Sequence, residues 1–172
     1  MPGLARALGQ DFSTRGKRLE EQITLLRRLW TEQNVTFRGT FDQITGAGLA
    51  PMPVQQPIPV WVGAQSPPAY RRAGRRADGW FPQMAPGPQL EEARRIVTEA
   101  ATEAGRDPAS LGMEGRLRWQ PDRDSLAAAM RQWQGAGATH LSVNTMGTGL
   151  KTVDDHLAAL ATAAEAAKTI SD

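Results

Sequence analysis

The second half of the chain alternates short strand-like runs with helix-like segments, and this alternation limits the fold more than any other feature. Four short strands are predicted in the segments VWVG, DGWF, GMEGRLRW and THLSVNT. A helical pattern follows each of them, beginning near Pro67, Pro88, Asp124 and Thr152. Strands separated by helices at this spacing pair in parallel through right-handed crossovers. The alternation therefore predicts an α/β fold with about four parallel strands and surrounding helices.

The predicted strands are polar on one face and apolar on the other. Leu141 and Val143 share a face in one strand, as do Met113, Leu117 and Trp119 in another. The opposite faces carry His140, Ser142 and Asn144 in the first case and Glu114, Arg116 and Arg118 in the second. A doubly wound sheet, covered by helices on both sides, tends to be apolar on both faces. The pattern favours barrel strands with helices outside, and an open sheet with one solvated face is the alternative.

The first third of the chain predicts a helix followed by a hairpin. Leu19, Ile23, Leu26 and Trp30 recur at helical spacing, which predicts an amphipathic helix over residues 16–31. VTFRGTFDQI reads as a small hairpin around Arg38-Gly39. GAGLAPMPVQQPIP holds four prolines and is expected to be extended. Residues 1–172 are predicted to form a single domain, with residues 1–13 loosely ordered.

Composition excludes several classes of function. Twenty basic and 18 acidic residues give a net charge of +2, which argues against a nucleic-acid partner. The absence of cysteine excludes disulfides and thiolate metal sites, and His140 and His156 share no ligand spacing, so no metal is expected. No segment has the length of a membrane span and none is typical of a signal peptide, so no membrane partner and a cytoplasmic location are expected.

A turn of small and polar residues follows the first of the four strands. Gly63, Ala64, Gln65 and Ser66 lead directly into Pro67-Pro68, and Ser66 is placed as the N-cap of the next helix. Free N–H groups and the helix dipole can bind an anion at such a position, and small residues allow close approach. Taken alone, these residues leave two interpretations open: an anion cradle and ordinary turn chemistry.

Three ordered blocks carry a family resemblance: RGKRLEEQITLLRRLWTEQNVTFRGTFDQI, then GLAPMPVQQPIPVWVGAQSPPAYRRAGRRADGWFP, then GATHLSVNTMGTGL. Together they resemble the C-terminal half of the bacterial luciferase-like monooxygenases, and most of all the branch of F420-dependent oxidoreductases. The resemblance implies the C-terminal half of a (βα)8 TIM barrel. It also implies that coenzyme F420, with FMN as the alternative, binds at the carboxyl ends of the strands.

The resemblance further implies the residues of a cofactor site. The backbone of Gly63, Ala64, Gln65 and Ser66 is expected to hold the cofactor phosphate. Asp78, Gly79 and Trp80 match a strand-end block of the family and are expected near the cofactor. Asn144 and Thr145 lie at the end of the last strand, where they are expected to line the mouth of the barrel and Asn144 to contact the cofactor. Two alternatives remain: Trp80 as a core residue and Asn144 as a turn former. His140, near the start of a strand, is expected to have a structural role, and no catalytic residue is identified.

The implied function is hydride transfer between reduced F420, or FMN, and a small organic substrate. A truncated, non-catalytic remnant and a flavin- or phosphate-binding module without turnover are the alternatives. Half of a barrel leaves two strand edges open. We therefore expect a homodimer, or pairing with another chain, that covers those edges. Glu114 and Arg116, on the same face of one strand, are expected to form an internal ion pair.

Overall fold

The structure is a computed structural model that describes residues 3, 7, 9 and 11–170. Its contacts divide the chain into two compact units, Met1–Val60 and Trp61–Asp172. The single domain expected from the sequence stays a prediction. The loose order expected for residues 1–13 falls mostly outside the described residues, although Phe12–Thr14 forms a short 3-10 helix.

The first unit contains the predicted helix and hairpin. Helix α1 spans Arg15–Thr31, and strands β1 (Val35–Arg38) and β2 (Gln43–Ala47) pair antiparallel. Ile23 and Leu25 of α1 are buried, and so is Val35 at the start of β1. Residues 48–60, with their four prolines, form neither helix nor strand. The helix, the hairpin and the non-helical connection are therefore confirmed, whereas residues 50–51 and 54–57 of the connection bend instead of staying extended.

A carboxylate on α1 holds the hairpin turn of the first unit. Glu21 accepts hydrogen bonds from the backbone N–H groups of Thr40, Phe41 and Asp42, at 2.7 to 2.8 Å. Desolvation raises the pKa of Glu21, but these N–H groups and the nearby Arg18 guanidinium outweigh it, so the pKa is lowered overall. The turn amides, which have no strand partner, thus gain a charged acceptor.

The second unit alternates strands and helices as predicted. In chain order its elements are β3 (Trp61–Ala64), α2 (Pro67–Arg76), β4 (Gly79–Pro82), α3 (Pro88–Glu103), a 3-10 helix (Pro108–Ser110), β5 (Gly112–Arg118), α4 (Arg123–Gly135), β6 (His140–Asn144) and α5 (Val153–Lys168). The four strands form one sheet in the order β3-β4-β5-β6, and every neighbouring pair is parallel. Helices α2, α3 and α4 thus each connect one strand to its neighbour in the way the alternation requires, and α5 follows the last strand.

The amino ends of the helices lie next to the N-cap residues that the sequence predicted, with two differences. Thr152 and Asp155 form the predicted capping box at the start of α5. Helix α4 begins slightly earlier than expected, because the side chain of Asp122 accepts from the Ser125 N–H. Ser66 stands at the N-cap of α2, but its side chain makes no capping hydrogen bond. Its hydroxyl remains available to another partner.

All four helices of the second unit pack on one face of the sheet. The buried cluster joins strand residues Ala64, Trp80, Met113 and Leu117 with residues from each helix, among them Tyr70, Leu90, Leu126 and Ala163. The alternate strand positions, Glu114, Arg116, Ser142 and Asn144, point to the opposite face and are half-buried or exposed. The prediction of an apolar outer face and a polar inner face is confirmed.

One aromatic side chain covers the amino end of the inner face. A Cβ added at Gly79 would lie 2.5 Å from Cε2 of Trp61, and one added at Gly112 would lie 2.6 Å from Cζ2 of the same ring. The indole therefore lies flat over β4 and β5 at glycine positions. Beyond them it meets His140, the first residue of β6. His140 also hydrogen-bonds Thr139 Oγ1 at 2.9 Å through Nδ1, which fits its predicted structural role.

Candidate functional site

The sheet opens at its carboxyl end, between its two central strands. Strands β4 and β5 pair at Gly79 with Gly112 and at Trp80 with Met113, and the pairing then stops. Strands β5 and β6, in contrast, stay paired as far as Arg118 and Asn144. Pro82 closes β4 and has no N–H to donate to a neighbouring strand. The central strands therefore diverge and leave a gap at the edge where ligands bind in parallel α/β folds.

A cavity of about 390 Å³ lies in this gap. Its lining combines the carboxyl ends of three strands with one residue of α4, namely Pro82, Gln83, Met84, Ala85, Arg116, Leu117, Arg118, Trp133, Asn144 and Met146. Its volume is in the range of small-molecule sites. Apart from the two arginines the lining carries no side chain that is charged at neutral pH, so the cavity has a positive character.

The two arginines project from the same face of β5. Alternate residues of a strand are about 6.6 Å apart, so Arg116 and Arg118 stand side by side. Arg116 donates to Gln83 Oε1 at a long 3.5 Å, and Arg118 donates to the backbone oxygen of Gly147. Among the described residues neither guanidinium forms an ion pair with a carboxylate. Two cations without counter-charges in one cavity favour binding of an anion.

The prediction of an ion pair between Glu114 and Arg116 is wrong. Glu114 accepts a hydrogen bond from the Ser142 hydroxyl at 2.6 Å, while Arg116 extends toward Gln83. Glu114 is nearer the amino end of β5 and finds its partner across the strand pair, on β6. Arg116 is nearer the cavity. The difference leaves the charge of Arg116 available at the carboxyl edge.

The predicted cradle, Gly63 to Ser66, lies at the same edge of the sheet. Ala64 is buried at the end of β3, whereas Gly63, Gln65 and Ser66 are exposed. A Cβ at Gly63 would meet nothing closer than Nε2 of Gln83, at 3.9 Å. Because Gln83 also lines the cavity, the turn and the cavity are neighbours.

The double proline limits the donors that the turn offers. Pro67 and Pro68 are the first two residues of α2 and have no N–H, so the start of the helix donates less than expected. The N–H groups of Gln65, Ser66 and Ala69 have no acceptor among the described residues. With the Ser66 hydroxyl they form a small set of donors, which suits the oxygens of a phosphate.

The predicted block Asp78, Gly79 and Trp80 lies at the opposite end of the strands, their amino-terminal end. Gly79 pairs with Trp61 at the beginning of β3, and Asp78 precedes β4. Trp80 is 2% exposed and packs edge-on against Tyr70 on the helical face, with ring centroids 5.8 Å apart. Burial raises the pKa of the Tyr70 phenol. The structure therefore does not bring this block together with the turn at Gly63, and Trp80 is the core residue that was the alternative.

Asn144 ends β6 at the cavity and also shapes the turn beyond it. Its side-chain oxygen accepts from the Met146 N–H at 2.9 Å. Thr145 is held by His156 of α5, with Nδ1 2.8 Å from Oγ1. Asp155, beside that histidine, accepts from the N–H groups of Lys151 and Thr152, which lowers its pKa. Asn144 thus combines a place in the cavity wall with the turn-forming role that was its alternative.

The described residues show neither a metal cluster nor a membrane-spanning helix. Within residues 3, 7, 9 and 11–170 no three acidic, histidine or cysteine side chains gather in a way that could bind a metal ion. In the same part of the chain, none of the helices combines the length and apolar character that crossing a membrane requires.

A family comparison decides the relationship of the whole chain. The model of the luciferase-like monooxygenases matches residues 4–171. The chain belongs to the luciferase-like monooxygenase family. The resemblance seen in the sequence blocks is therefore confirmed across both compact units.

Curated relatives of this luciferase-like chain carry one recurrent name. An F420-dependent glucose-6-phosphate dehydrogenase of Microbacterium testaceum is 32% identical over 123 residues, which are 69% of this chain and 36% of the relative. The enzyme of the same name from Gordonia bronchialis is 35% identical over 127 residues, which are 72% of this chain and 37% of the relative. The chain thus spans little more than a third of the length of these relatives.

Solved structures of low identity share the fold of this luciferase-like chain. An F420-dependent secondary alcohol dehydrogenase, in complex with an F420-acetone adduct, has a TM-score of 0.56 at 19% identity, over 90% of this chain and 54% of the other. The coenzyme F420-dependent tetrahydromethanopterin reductase of Methanopyrus kandleri has a TM-score of 0.56 at 22% identity, over 66% and 34%. The predicted α/β class, half of a luciferase-like TIM barrel, is confirmed.

Sequence reasoning missed several residues of the site in this luciferase-like chain. Gln83 and Met84 follow β4 directly, and Arg118 alternates with Arg116 on β5, yet none was predicted as a site residue. A signal for Arg118 exists, because period-two alternation places it beside Arg116 at the carboxyl end of a strand. Gln83 carries no comparable signal, since its position depends on the divergence of β4 from β5.

Proposed function

We propose that this chain is part of an F420-dependent oxidoreductase that transfers hydride between the deazaflavin and a small organic substrate bearing an anionic group. Family membership supports the reaction class, and the names of the curated relatives support F420. The observation that carries the proposal is the pairing of a donor-rich turn at Gly63–Ser66 with a cationic cavity at the same edge of the sheet.

The residues of the turn fit a cofactor phosphate. Gln65, Ser66 and Ala69 present backbone N–H groups without an acceptor among the described residues, and Ser66 adds a hydroxyl. Gly63 leaves open space above the backbone, so a phosphate can approach closely. In this proposal the turn binds the phosphate of F420. When bound, F420 supplies the hydride-carrying ring, while the protein supplies position and electrostatics.

The cavity fits the charged end of a substrate. Arg116 and Arg118 present two guanidinium groups from one strand, and Gln83 and Asn144 add amides that can donate hydrogen bonds. Charge-assisted hydrogen bonds from arginine suit a phosphate or carboxylate well. The curated relatives are named for a sugar phosphate, which supports a phosphorylated substrate for this chain. The arginines would hold that phosphate and fix the reactive end relative to the cofactor.

A binding module without turnover is the second candidate. Lysine, histidine and carboxylate side chains are missing from the lining of the cavity within the described residues, so it offers no obvious group for proton transfer. In this candidate the chain binds the cofactor phosphate and the anion without turnover.

Titration with F420 tests the proposed cofactor, and FMN serves as the competing ligand. The full chain is expected to quench or shift F420 fluorescence on binding, with weaker binding of FMN. Gly63→Val should weaken F420 binding by about tenfold or more, because its side chain would occupy the approach to the turn. Gly135→Val is the matched control, since a Cβ there also meets open space but lies far from the turn in sequence and fold.

The outcome separates the candidates. Loss of F420 absorbance on addition of glucose 6-phosphate, whose oxidation would reduce the deazaflavin, would support the oxidoreductase. Binding of F420 without any turnover would favour the binding module. Failure of the chain to bind either F420 or FMN would overturn the cofactor proposal.

A further inference from the structure

A short turn between β6 and α5, residues 145–149, connects the cavity to that helix. Asn144 and Met146, the residues on either side of Thr145, both line the cavity. Thr145 itself is half-buried, and its hydroxyl oxygen lies 2.8 Å from Nδ1 of His156 on α5. The β6–α5 turn therefore faces the cavity with two residues and contacts the helix with the residue between them.

The β6–α5 turn also holds one of the two guanidinium groups of the cavity. The backbone oxygen of Gly147 accepts a hydrogen bond from Arg118, and among the described residues this is the one hydrogen bond that fixes that guanidinium. Gly147 has a φ of 67°, a left-handed conformation that favours glycine, so the direction of its carbonyl depends on the shape of the turn. The position of Arg118 in the cavity therefore depends on the conformation of the β6–α5 turn.

One hydrogen bond ties the β6–α5 turn to a packed element. Two others are internal: Asn144 Oδ1 accepts from the Met146 N–H at 2.9 Å, and the Thr145 carbonyl accepts from the Thr148 hydroxyl at 2.6 Å. The contact between Thr145 and His156 reaches α5 instead, and buried alanines anchor that helix on the sheet. Close-packed side chains have little freedom to move, so α5 is a fixed support. His156 therefore fixes the turn relative to the sheet.

We propose that His156 is a positioning residue of the anion site. By holding Thr145 it keeps the Gly147 carbonyl in place, and this carbonyl keeps the guanidinium of Arg118 directed into the cavity. One N–H of the guanidinium is used in this way, and its other donors remain for a phosphate. A guanidinium that the protein already holds loses less conformational freedom when the anion binds. The inference rests on the proposed function, because it requires that Arg118 binds the anionic group of the substrate.

Calorimetry of the full chain with inorganic phosphate gives the first test. His156→Ala should weaken phosphate binding by about fivefold, because the acceptor of Arg118 loses its support. His156→Asn should restore most of the affinity, since its amide can hydrogen-bond Thr145 in place of Nδ1. Circular dichroism checks that each variant keeps its helices.

The other histidine of the chain provides a matched control. His140 also hydrogen-bonds a neighbouring threonine, with Nδ1 2.9 Å from Thr139 Oγ1, but at the amino end of the strands. His140→Ala should therefore bind phosphate like the wild type, even if it lowers the free energy of unfolding. A general loss of stability would affect both histidine variants, whereas loss of positioning affects only His156→Ala.

A double-mutant cycle tests whether His156 acts through Arg118. In an Arg118→Ala background, His156→Ala should cause little further loss of phosphate affinity. In an Arg116→Ala background it should keep its effect of about fivefold, because Arg116 has no contact with the β6–α5 turn among the described residues. The same loss in both backgrounds would overturn the proposal. So would an affinity of His156→Asn no higher than that of His156→Ala.

Failure of this inference and failure of the proposed anion site give different results. If Arg118→Ala binds phosphate as tightly as the wild type, the cavity is not the anion site, and both proposals are overturned. If Arg118→Ala loses affinity while His156→Ala binds like the wild type, the anion site stands and the positioning role alone is overturned.

Discussion

The ring of Trp61 on β3 meets the ring of His140 on β6, with centroids 4.8 Å apart and planes inclined at 76°. These residues stand on the two edge strands of the sheet, so the indole spans the width of its inner face. It does so because Gly79 and Gly112 of the intervening strands have no side chains. The glycine of the Asp-Gly-Trp block, expected near the cofactor, is thereby given a packing role at the amino end.

Adding a methyl group beneath this indole should destabilise the second unit. Gly112→Ala places a Cβ 2.6 Å from Cζ2 of Trp61, and the strand and ring must shift to accommodate it. Overpacking of this kind costs about 1–3 kcal/mol of the free energy of unfolding. Urea titration followed by tryptophan fluorescence measures the loss. Gly135→Ala is the control, because a Cβ there meets open space.

Removing the indole tests the cause of that loss. In a Trp61→Ala background, Gly112→Ala should cost clearly less than in the wild-type chain, since the overlapping ring is gone. Equal costs in the two backgrounds would show that the indole is not the reason for glycine at this position.

Truncating either arginine of the cavity should weaken binding of a phosphorylated ligand. Arg116→Ala and Arg118→Ala each remove charge-assisted hydrogen bonds worth about 1.5–3 kcal/mol, which corresponds to tenfold or more in affinity. Calorimetry with glucose 6-phosphate and with inorganic phosphate measures the change. Arg131→Ala, on the exposed side of α4, should bind both ligands like the wild type. Equal affinities in all four proteins would place the anion elsewhere.

Because of the capping box of α5, the free energy of unfolding should depend on pH in the acidic range. Backbone N–H groups of Lys151 and Thr152, and then the Thr152 hydroxyl, lower the pKa of Asp155 in the folded chain. In the unfolded chain the pKa is about 3.9. The carboxylate therefore stabilises the fold above about pH 4, and this contribution is lost as the pH falls through the lower folded value. Stability should decline in that window.

Two variants isolate this carboxylate. Asp155→Asn should be less stable than the wild type at pH 7, and the difference should shrink below about pH 4 in urea titrations. Asp154→Asn is the matched control, because that neighbouring residue makes no such cap. A difference between Asp155→Asn and the wild type that stays constant from pH 7 to pH 3 would contradict the assignment.

Loss of the Glu21 carboxylate should open the hairpin turn of the first unit. Glu21→Ala leaves the N–H groups of Thr40, Phe41 and Asp42 without their acceptor. Hydrogen exchange at these three amides should accelerate by about tenfold or more, as expected for the loss of hydrogen bonds to a charged group. Lys17→Ala, an exposed change on the same helix, should leave the exchange unchanged. Retained protection in Glu21→Ala would show that the strands alone hold the turn.

Local patterns in the sequence determined the architecture of the second unit. Strand and helix periods differ, so the run of strands, helices and caps could be predicted from neighbouring residues. Period-two alternation also identified the polar face that carries Glu114, Arg116 and Asn144. The turn at Gly63–Ser66 was placed correctly at a carboxyl strand end, because a strand followed at once by a helix fixes that direction.

Only the tertiary structure decided which of these residues lie together. Gly79 and Trp80 are close in sequence to the candidate turn. Parallel pairing with β3, however, places them at the amino-terminal end of the strands, whereas Ser66 follows the carboxyl-terminal end. Arg118 and Gln83 meet at one cavity because β4 and β5 separate after two paired positions. Glu114 accepts a hydrogen bond from Ser142, which the register of β5 and β6 places opposite Arg116. Such contacts join residues about 30 positions apart, and no local pattern encodes the register that brings them together.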